Sequence, residues 1–257
     1  VLQQLVNHSD WSLRAKGIQL VNRIPTHEAT AMLITRLSDS DSDVRKAANA
    51  AVGPRLTEQD MPLIQDLVNS ANNDARLQIV AYLSRFKTQG SQAALTKLTS
   101  DSGWDIRRAA IYALSDFSGD AVTNVLLAKF ADSDSDVKAA AIAAIAKRPL
   151  SNAQIPQLTV MSKSNDWSVR RQAIQLAARI ETPEATAVII SKLADSDTDV
   201  IKAAQSLLNS RNLGDAELSQ FGSLIRAPQS EGRLAVLNRI AAFINQTDGR
   251  ALTAIRH

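Results

Sequence analysis

Asp166-Trp167-Ser168-Val169-Arg170 is one copy of a pattern that returns along the whole 257-residue chain. The pattern is an acidic or polar turn, then Val, Leu or Ile, then Arg or Lys. Earlier copies are Asp10-Trp11-Ser12-Leu13-Arg14, Asp41-Ser42-Asp43-Val44-Arg45, the weaker Asn72-Asn73-Asp74-Ala75-Arg76, Gly103-Trp104-Asp105-Ile106-Arg107 and Asp134-Ser135-Asp136-Val137-Lys138. Later copies are Asp197-Thr198-Asp199-Val200-Ile201 and the degraded Gln229-Ser230-Glu231-Gly232-Arg233. The apolar anchors fall at 13, 44, 75, 106, 137, 169, 200 and 232, a spacing of 31 or 32. Such a period, sustained from end to end, marks a stacked-repeat architecture. Residues 10–48 and 166–204 match at about 24 of 39 positions, which points to duplication of blocks of several repeats.

Inside each repeat the apolar period is helical. Thr30, Leu33, Ile34 and Leu37 share one face of residues 27–37, and Val44, Ala47, Ala48, Ala51 and Val52 share one face of residues 44–52. Each repeat therefore reads as two short antiparallel helices, A and B. Thr182-Pro183-Glu184 has the composition of a helix start: a capping hydroxyl, proline at the first position, then an acid near the positive helix end. A hairpin this short cannot bury both apolar faces alone, so neighbours must stack on either side. The expected fold is all-α, an α-solenoid of about eight helix pairs filling residues 1–257 as a single array. The repeat limits fall near 1–24 (partial), 25–55, 56–86, 87–117, 118–149, 150–180, 181–211, 212–247 and 248–257 (partial). The chain opens at Val1, not Met, and closes on an A helix without its partner. Both ends fit a piece of a longer array, or ends that act as caps.

Composition narrows the functional classes. Hydrophobic residues make up 45% and aromatics only 4%, so the core is built of small side chains that let helices approach closely. Twenty-nine basic against 26 acidic side chains leave a net charge of +3, too little clustered excess to point to nucleic acid. Without cysteine there are neither disulfides nor thiolate metal sites, which fits cytoplasm and periplasm equally. No apolar run approaches the ~20 residues of a membrane span, and no signal peptide is visible. Oligomeric state is not encoded in any pattern we can read.

Asp105-Ile106-Arg107-Arg108-Ala109-Ala110-Ile111-Tyr112-Ala113-Leu114 resembles the short HEAT-like repeat first associated with phycobilisome lyases. Asp136-Val137-Lys138-Ala139-Ala140-Ala141 is similar to it, and the resemblance covers essentially the whole chain. It implies a solenoid in which helix B lines the inner, concave face. Proteins with this repeat include scaffolds, adaptors, bilin-lyase subunits and, in one bacterial branch, DNA glycosylases, so architecture alone does not name a function.

Three acidic runs, Asp39–Asp43, Asp132–Asp136 and Asp195–Asp199, begin like a calcium loop, but the first has Val44 and Ala50 where that loop needs Gly and Glu. They read instead as caps for helix B. The ladder of Arg14, Arg45, Arg76, Arg107, Lys138, Arg170 and Arg233 reads as an inter-repeat ion-pair ladder. Arg23, Arg55, Arg85, Lys147, Arg148, Arg179 and Arg211 gather where B helices end, complementing the negative helix terminus. They also predict one basic rim that could steer a partner.

Trp11, Trp104 and Trp167 occupy one slot, two residues before the anchor, where other repeats carry Ser42, Asn73, Ser135, Thr198 and Ser230. A core position would not accept Trp and Ser interchangeably, so the slot is predicted to be at least partly exposed. Its helical stripe continues through Arg108 and Tyr112 after Trp104, and through Arg171 and Gln175 after Trp167. Trp, Tyr and Arg dominate protein-binding hot spots, and local packing of each indole over the A–B turn is the alternative. The histidines, His8, His27 and His257, are scattered, and no phosphate loop, nucleophile elbow or metal-ligand spacing occurs. The expectation is a non-enzymatic scaffold or adaptor without cofactor or metal. It would hold a protein or peptide on the concave face through Trp11, Trp104, Arg108, Tyr112, Trp167, Arg171 and Gln175. A bilin-lyase or chaperone-like subunit and a nucleic-acid-binding protein are the rivals.

Overall fold

The computed structural model describes residues 1–211, 220–221, 224, 233–234 and 236–241. Apart from those short helical pieces, the repeats expected at 212–247 and 248–257, with the anchor Gly232, lie outside the described residues. Residues 1–211 hold fourteen α-helices: α1 (Leu2–Val6), α2 (Trp11–Val21), α3 (His27–Ile34), α4 (Ser42–Val52), α5 (Met61–Asp66), α6 (Asn73–Arg85), α7 (Gln89–Leu98), α8 (Trp104–Ser115), α9 (Asp120–Ala128), α10 (Ser135–Ala146), α11 (Ile155–Met161), α12 (Trp167–Ala177), α13 (Pro183–Ile190) and α14 (Thr198–Asn209). Odd-numbered helices are the A members and even-numbered ones the B members. The protein is an all-α solenoid, with no strand among the described residues. No described helix is long and apolar enough to cross a membrane.

The chain divides into two compact units, Val1–Val122 with Asp134–Ala144, and Thr123–Ser133 with Ile145–His257. In the first, α1–α8 form four hairpins, with α2 packed on α4 and α6 on α8. Gly17 of α2 admits the backbone of α1, since a Cβ there would stand 2.9 Å from the Val6 nitrogen. In the second unit α11–α14 form two hairpins, with α11 on α13 and α12 on α14.

The anchors explain the stacking. Val44, Ala75, Ile106, Val137, Val169 and Val200 are at most 2% exposed. Burying one such aliphatic side chain contributes about 1.5–3 kcal/mol, so repeating it in every hairpin builds a continuous core. Leu13 departs from the pattern: beside the five-residue α1 it stays 38% exposed. The stripe read at 27–37 is buried at Thr30, Leu33, Ile34 and Leu37, but the helix tightens into a 3-10 turn at Thr35–Ser38. The same tightening follows α13 at Ser191–Ala194.

The acidic runs divide their labour. Asp41 accepts from the amides of Asp43 and Val44 at the start of α4, and Asp197 does the same for Asp199 and Val200 at α14. Thr182 caps α13 with Pro183 at its first position. Asp39 and Asp195, the first acids of their runs, instead receive arginines from the preceding hairpin. Arg170 donates Nε to Asp195 Oδ2 at 2.9 Å and Nη2 to Oδ1 at 2.7 Å. Its Nη1 donates to the carbonyls of Ser164 and Asn165. Arg14 binds Asp39, His8 and Ser9 in the same way, and Arg76 binds Asp101 and Ser70. The bonded carboxylate lies 25 residues ahead each time.

Burial alone would push the Asp39 and Asp195 carboxyls up. Hydrogen bonds from Arg14 and Arg170, the Asp41 and Asp197 amides, and the nearby cations Arg36 and Lys192 outweigh it and hold both below the ordinary carboxylate range. Both acids are therefore ionised in the fold at pH values where the unfolded chain has begun to protonate them. Their stabilisation is complete above the unfolded pKa of about 4 and is lost as pH falls through the lower folded values.

Two outcomes follow for stability. Asp195→Ala leaves the Arg170 guanidinium buried without its counter-charge and costs roughly 3–5 kcal/mol, whereas Asp197→Ala removes only a cap and costs about 1 kcal/mol; urea unfolding of both variants checks the order. Urea midpoints measured from neutral pH downward fall steeply below about pH 4 for the wild type. Asp39→Asn and Asp195→Asn together start lower and follow a shallower decline.

Candidate functional site

Each B helix turns one stripe of three positions away from the core, and that stripe is the candidate site. In the first unit it runs through Trp11, Ala15 and Gln19 of α2, Ser42, Lys46 and Ala50 of α4, Asn73, Leu77 and Ala81 of α6, Trp104, Arg108 and Tyr112 of α8, and Ser135, Ala139 and Ala143 of α10. In the second unit it runs through Trp167, Arg171 and Gln175 of α12, and Thr198, Lys202 and Ser206 of α14. All are exposed except Ala15, Leu77 and Arg108, which are half-buried. The helical period that buries the anchors forces this exposure, because the slot sits two residues before the anchor on the opposite flank.

The three indoles are 43–48% exposed, and Tyr112 is 55% exposed. Trp104 is the first residue of α8, whose preceding cap position is Gly103. Arg108, one turn on, lies over its ring at 4.9 Å from the centroid. Arg108 Nη1 also stands 3.4 Å from Asp136, the acid beside the slot of α10. The guanidinium is thus held over the indole, and Tyr112 extends the same line. On α12, Trp167, Arg171 and Gln175 repeat the geometry with a different outcome: Arg171 and Gln175 line a groove of about 420 Å³ between α12 and α14, together with Asp199, Lys202, Ala203, Ser206 and Leu207.

A smaller groove of about 140 Å³ opens between α4 and α6, lined by Ser42, Arg45, Lys46, Asn49, Asp74 and Gln78 among others. These two helices pack less closely than α2 on α4 or α6 on α8. Arg45 has Ser70 where Arg14, Arg76 and Arg170 meet a carboxylate 25 residues ahead, and it reaches Asp74 at 3.7 Å instead. The Tyr82 hydroxyl bridges the joint by hydrogen bonding Asn49. Neither groove is lined by an indole.

Most of the basic residues expected to form a steering rim are engaged elsewhere. Arg55 donates to the carbonyls of Asn22 and Ile24, Arg85 to Gly53, Arg179 to Ile145 and Arg148, and Arg211 to Ala177, Ala178 and Ile180. Arg148 donates to the Thr123 hydroxyl. Arg55, Arg85, Arg179 and Arg211 reach back to the preceding hairpin as staples on the rim opposite the Asp-rich one, whereas the bond from Arg148 to Thr123 stays within its own hairpin. Their spacing of about one repeat was visible in the sequence; their direction was not. Among the histidines, His27 Nδ1 lies 3.1 Å from the buried Asp60 Oδ1, joining α3 to the turn before α5.

Replacing Trp104 by Ala tests how the indole is held. A fully buried tryptophan costs roughly 3–5 kcal/mol on truncation. At 43% exposure, with Arg108 as its main partner, we expect a loss of about 1–2 kcal/mol, read by urea denaturation. A loss in the buried range would mean that the slot belongs to the core.

Among curated proteins, none matches the sequence. Among solved structures, the chain is similar to an engineered protein at 15% identity, over 98% of this chain and 82% of the other, with a TM-score of 0.39. It is similar to YibA of Escherichia coli at 15% identity over 97% of each chain, TM-score 0.39. It is also similar to the complex of CpcE and CpcF of phycocyanin lyase from Nostoc sp., at 18% identity over 95% of this chain and 93% of the other, TM-score 0.42. The family of HEAT repeats matches residues 61–146 and 123–209. These two stretches together span more than half of the sequence, and the chain belongs to the HEAT-repeat family.

Proposed function

We propose that this HEAT-repeat chain is a non-enzymatic scaffold or adaptor that holds a protein or peptide partner along the concave face formed by its B helices. The observation that carries the reading is the exposed line Trp104, Arg108 and Tyr112 on α8, echoed by Trp167, Arg171 and Gln175 on α12 and by Trp11 on α2. Large aromatic and Arg side chains left in solvent on a rigid surface are the usual anchors of interfaces. The rigidity matters energetically, because little backbone ordering is needed when a partner docks. Binding to nucleic acid fits less well. Most of the ladder arginines already hold carboxylates and carbonyls; Asp43, Asp74, Asp105 and Asp136 form an acidic row beside the slot in the first unit, and Asp199 stands beside it in the second. A polyanion would meet that row wherever it met the cations.

The test uses the immobilised chain and lysate of the source organism. Two variants are compared with the wild type, W104A/Y112A and W167A/Q175A, each verified to keep its helical spectrum. The expected result is a retained protein that is strongly reduced on one or both variants. An identical set of retained proteins on all three surfaces rejects the B-helix face as the docking site.

A further inference from the structure

Between α12 and α14 the stripe opens into the groove of about 420 Å³, and its side chains specify a chemistry. Arg171 enters from α12 and Lys202 from α14, with Gln175 and Ser206 further along and Leu207 as an apolar edge. Asp199 is the one carboxylate lining it, against two cations. Arg171 and Lys202 are exposed, and neither has a hydrogen-bonding or ionic partner among the described residues. That sets them apart from their counterparts. Arg108 is stacked on Trp104 and close to Asp136, and Lys46 holds Asp43 at 3.2 Å. Arg170, the neighbour of Arg171, is buried and bonded to Asp195. Two cations from adjacent hairpins therefore share one groove whose single carboxylate, Asp199, pairs with neither.

Resting on the reading of the B-helix face as a docking surface, we propose that this groove takes an acidic, extended segment of a partner protein, with a carboxylate seated between Arg171 and Lys202. The planar fork of a guanidinium matches a carboxylate with two parallel hydrogen bonds. Gln175 lies one helical turn beyond Arg171, where its amide can donate to and accept from a peptide backbone, and the Ser206 hydroxyl faces it from α14. Leu207 offers an apolar wall for one side chain of the segment. A nucleic acid strand needs a run of phosphate contacts, whereas the equivalent stripe position is apolar at Ala15, Leu77 and Ala139, and its cations Lys46 and Arg108 are already engaged with Asp43 and Asp136.

The experiment titrates isotope-labelled full-length chain with three probes: a short peptide rich in Asp and Glu, its twin with Asn and Gln, and an oligothymidine. The acidic peptide is expected to shift the Arg171 Nε–H signal and the amides of α12 and α14, and to bind more tightly than its neutral twin. R171E/K202E, whose changes lie on exposed positions, is expected to melt as the wild type does and to bind the acidic peptide about tenfold or more weakly. K147E/K163E, an equal charge change at two exposed positions outside the groove, is expected to leave the affinity unaltered. The proposal is overturned by no binding of the acidic peptide, by shifts confined to other helices, by equal affinity for the neutral twin, by unaltered affinity in R171E/K202E, or by tighter binding of the oligothymidine. If R171E/K202E keeps a protein that the tryptophan variants lose, the groove assignment fails and the docking face stands. If the acidic peptide seats in the groove while the tryptophan variants lose nothing, the broader reading fails and the groove stands.

Discussion

A guanidinium has five N–H donors and no way to become neutral, so burying one obliges the surrounding chain to meet it from several directions at once. Arg170 and Arg14 impose that obligation on this fold. Nη1 faces the carbonyls of the turn just before its own helix, while Nε and Nη2 face a carboxylate in the next hairpin. Hydrophobic burial holds neighbouring hairpins together, but it is indifferent to small slips along the helix axis. The two-sided hydrogen bonding is not. It requires the carboxylate at one register, and this is why the bonded acid stands 25 residues ahead in each complete copy.

The same economy of charge shapes the exposed face. One set of arginines reaches forward to the next hairpin on the Asp-rich rim, and another reaches back to the preceding hairpin at the ends of the B helices. With the rims occupied in this way, the chemistry left over for recognition lies on the stripe between them. The stripe differs from repeat to repeat, from Trp, Arg and Tyr on α8 to Ser, Ala and Ala on α10. A repeat whose rim contacts recur can keep its architecture while the stripe between them changes from hairpin to hairpin.

The sequence made the fold legible because its signals are local and repeated. Anchors such as Val44 and Val169 recur as apolar residues, caps such as Asp41 and Asp197 recur before B helices, and a slot that accepts both Trp104 and Ser135 cannot be deep. Other features depend on pairs of residues about one repeat or more apart and left only half a signal. Arg55 and Arg211 sit at helix ends whether they neutralise their own helix or staple the previous one, and the sequence is the same in both cases. The groove between α12 and α14 arises because Arg171 and Lys202 face each other, which no single-helix pattern displays. The 3-10 turns after α3 and α13, and the exposure of Leu13, reflect packing at particular joints that the average repeat conceals.

One of those joints differs from its neighbours in a way that bears on mechanics. Between α4 and α6 the buried carboxylate is replaced by Ser70, helix packing is looser, and a tyrosine hydroxyl spans the gap to Asn49. A stacked array behaves like beads coupled only to their nearest neighbours, so a pull along the chain loads every coupling in series. Elastic give then concentrates at the softer couplings, and within the first unit this seam bends before the joints of α2 with α4 and of α6 with α8.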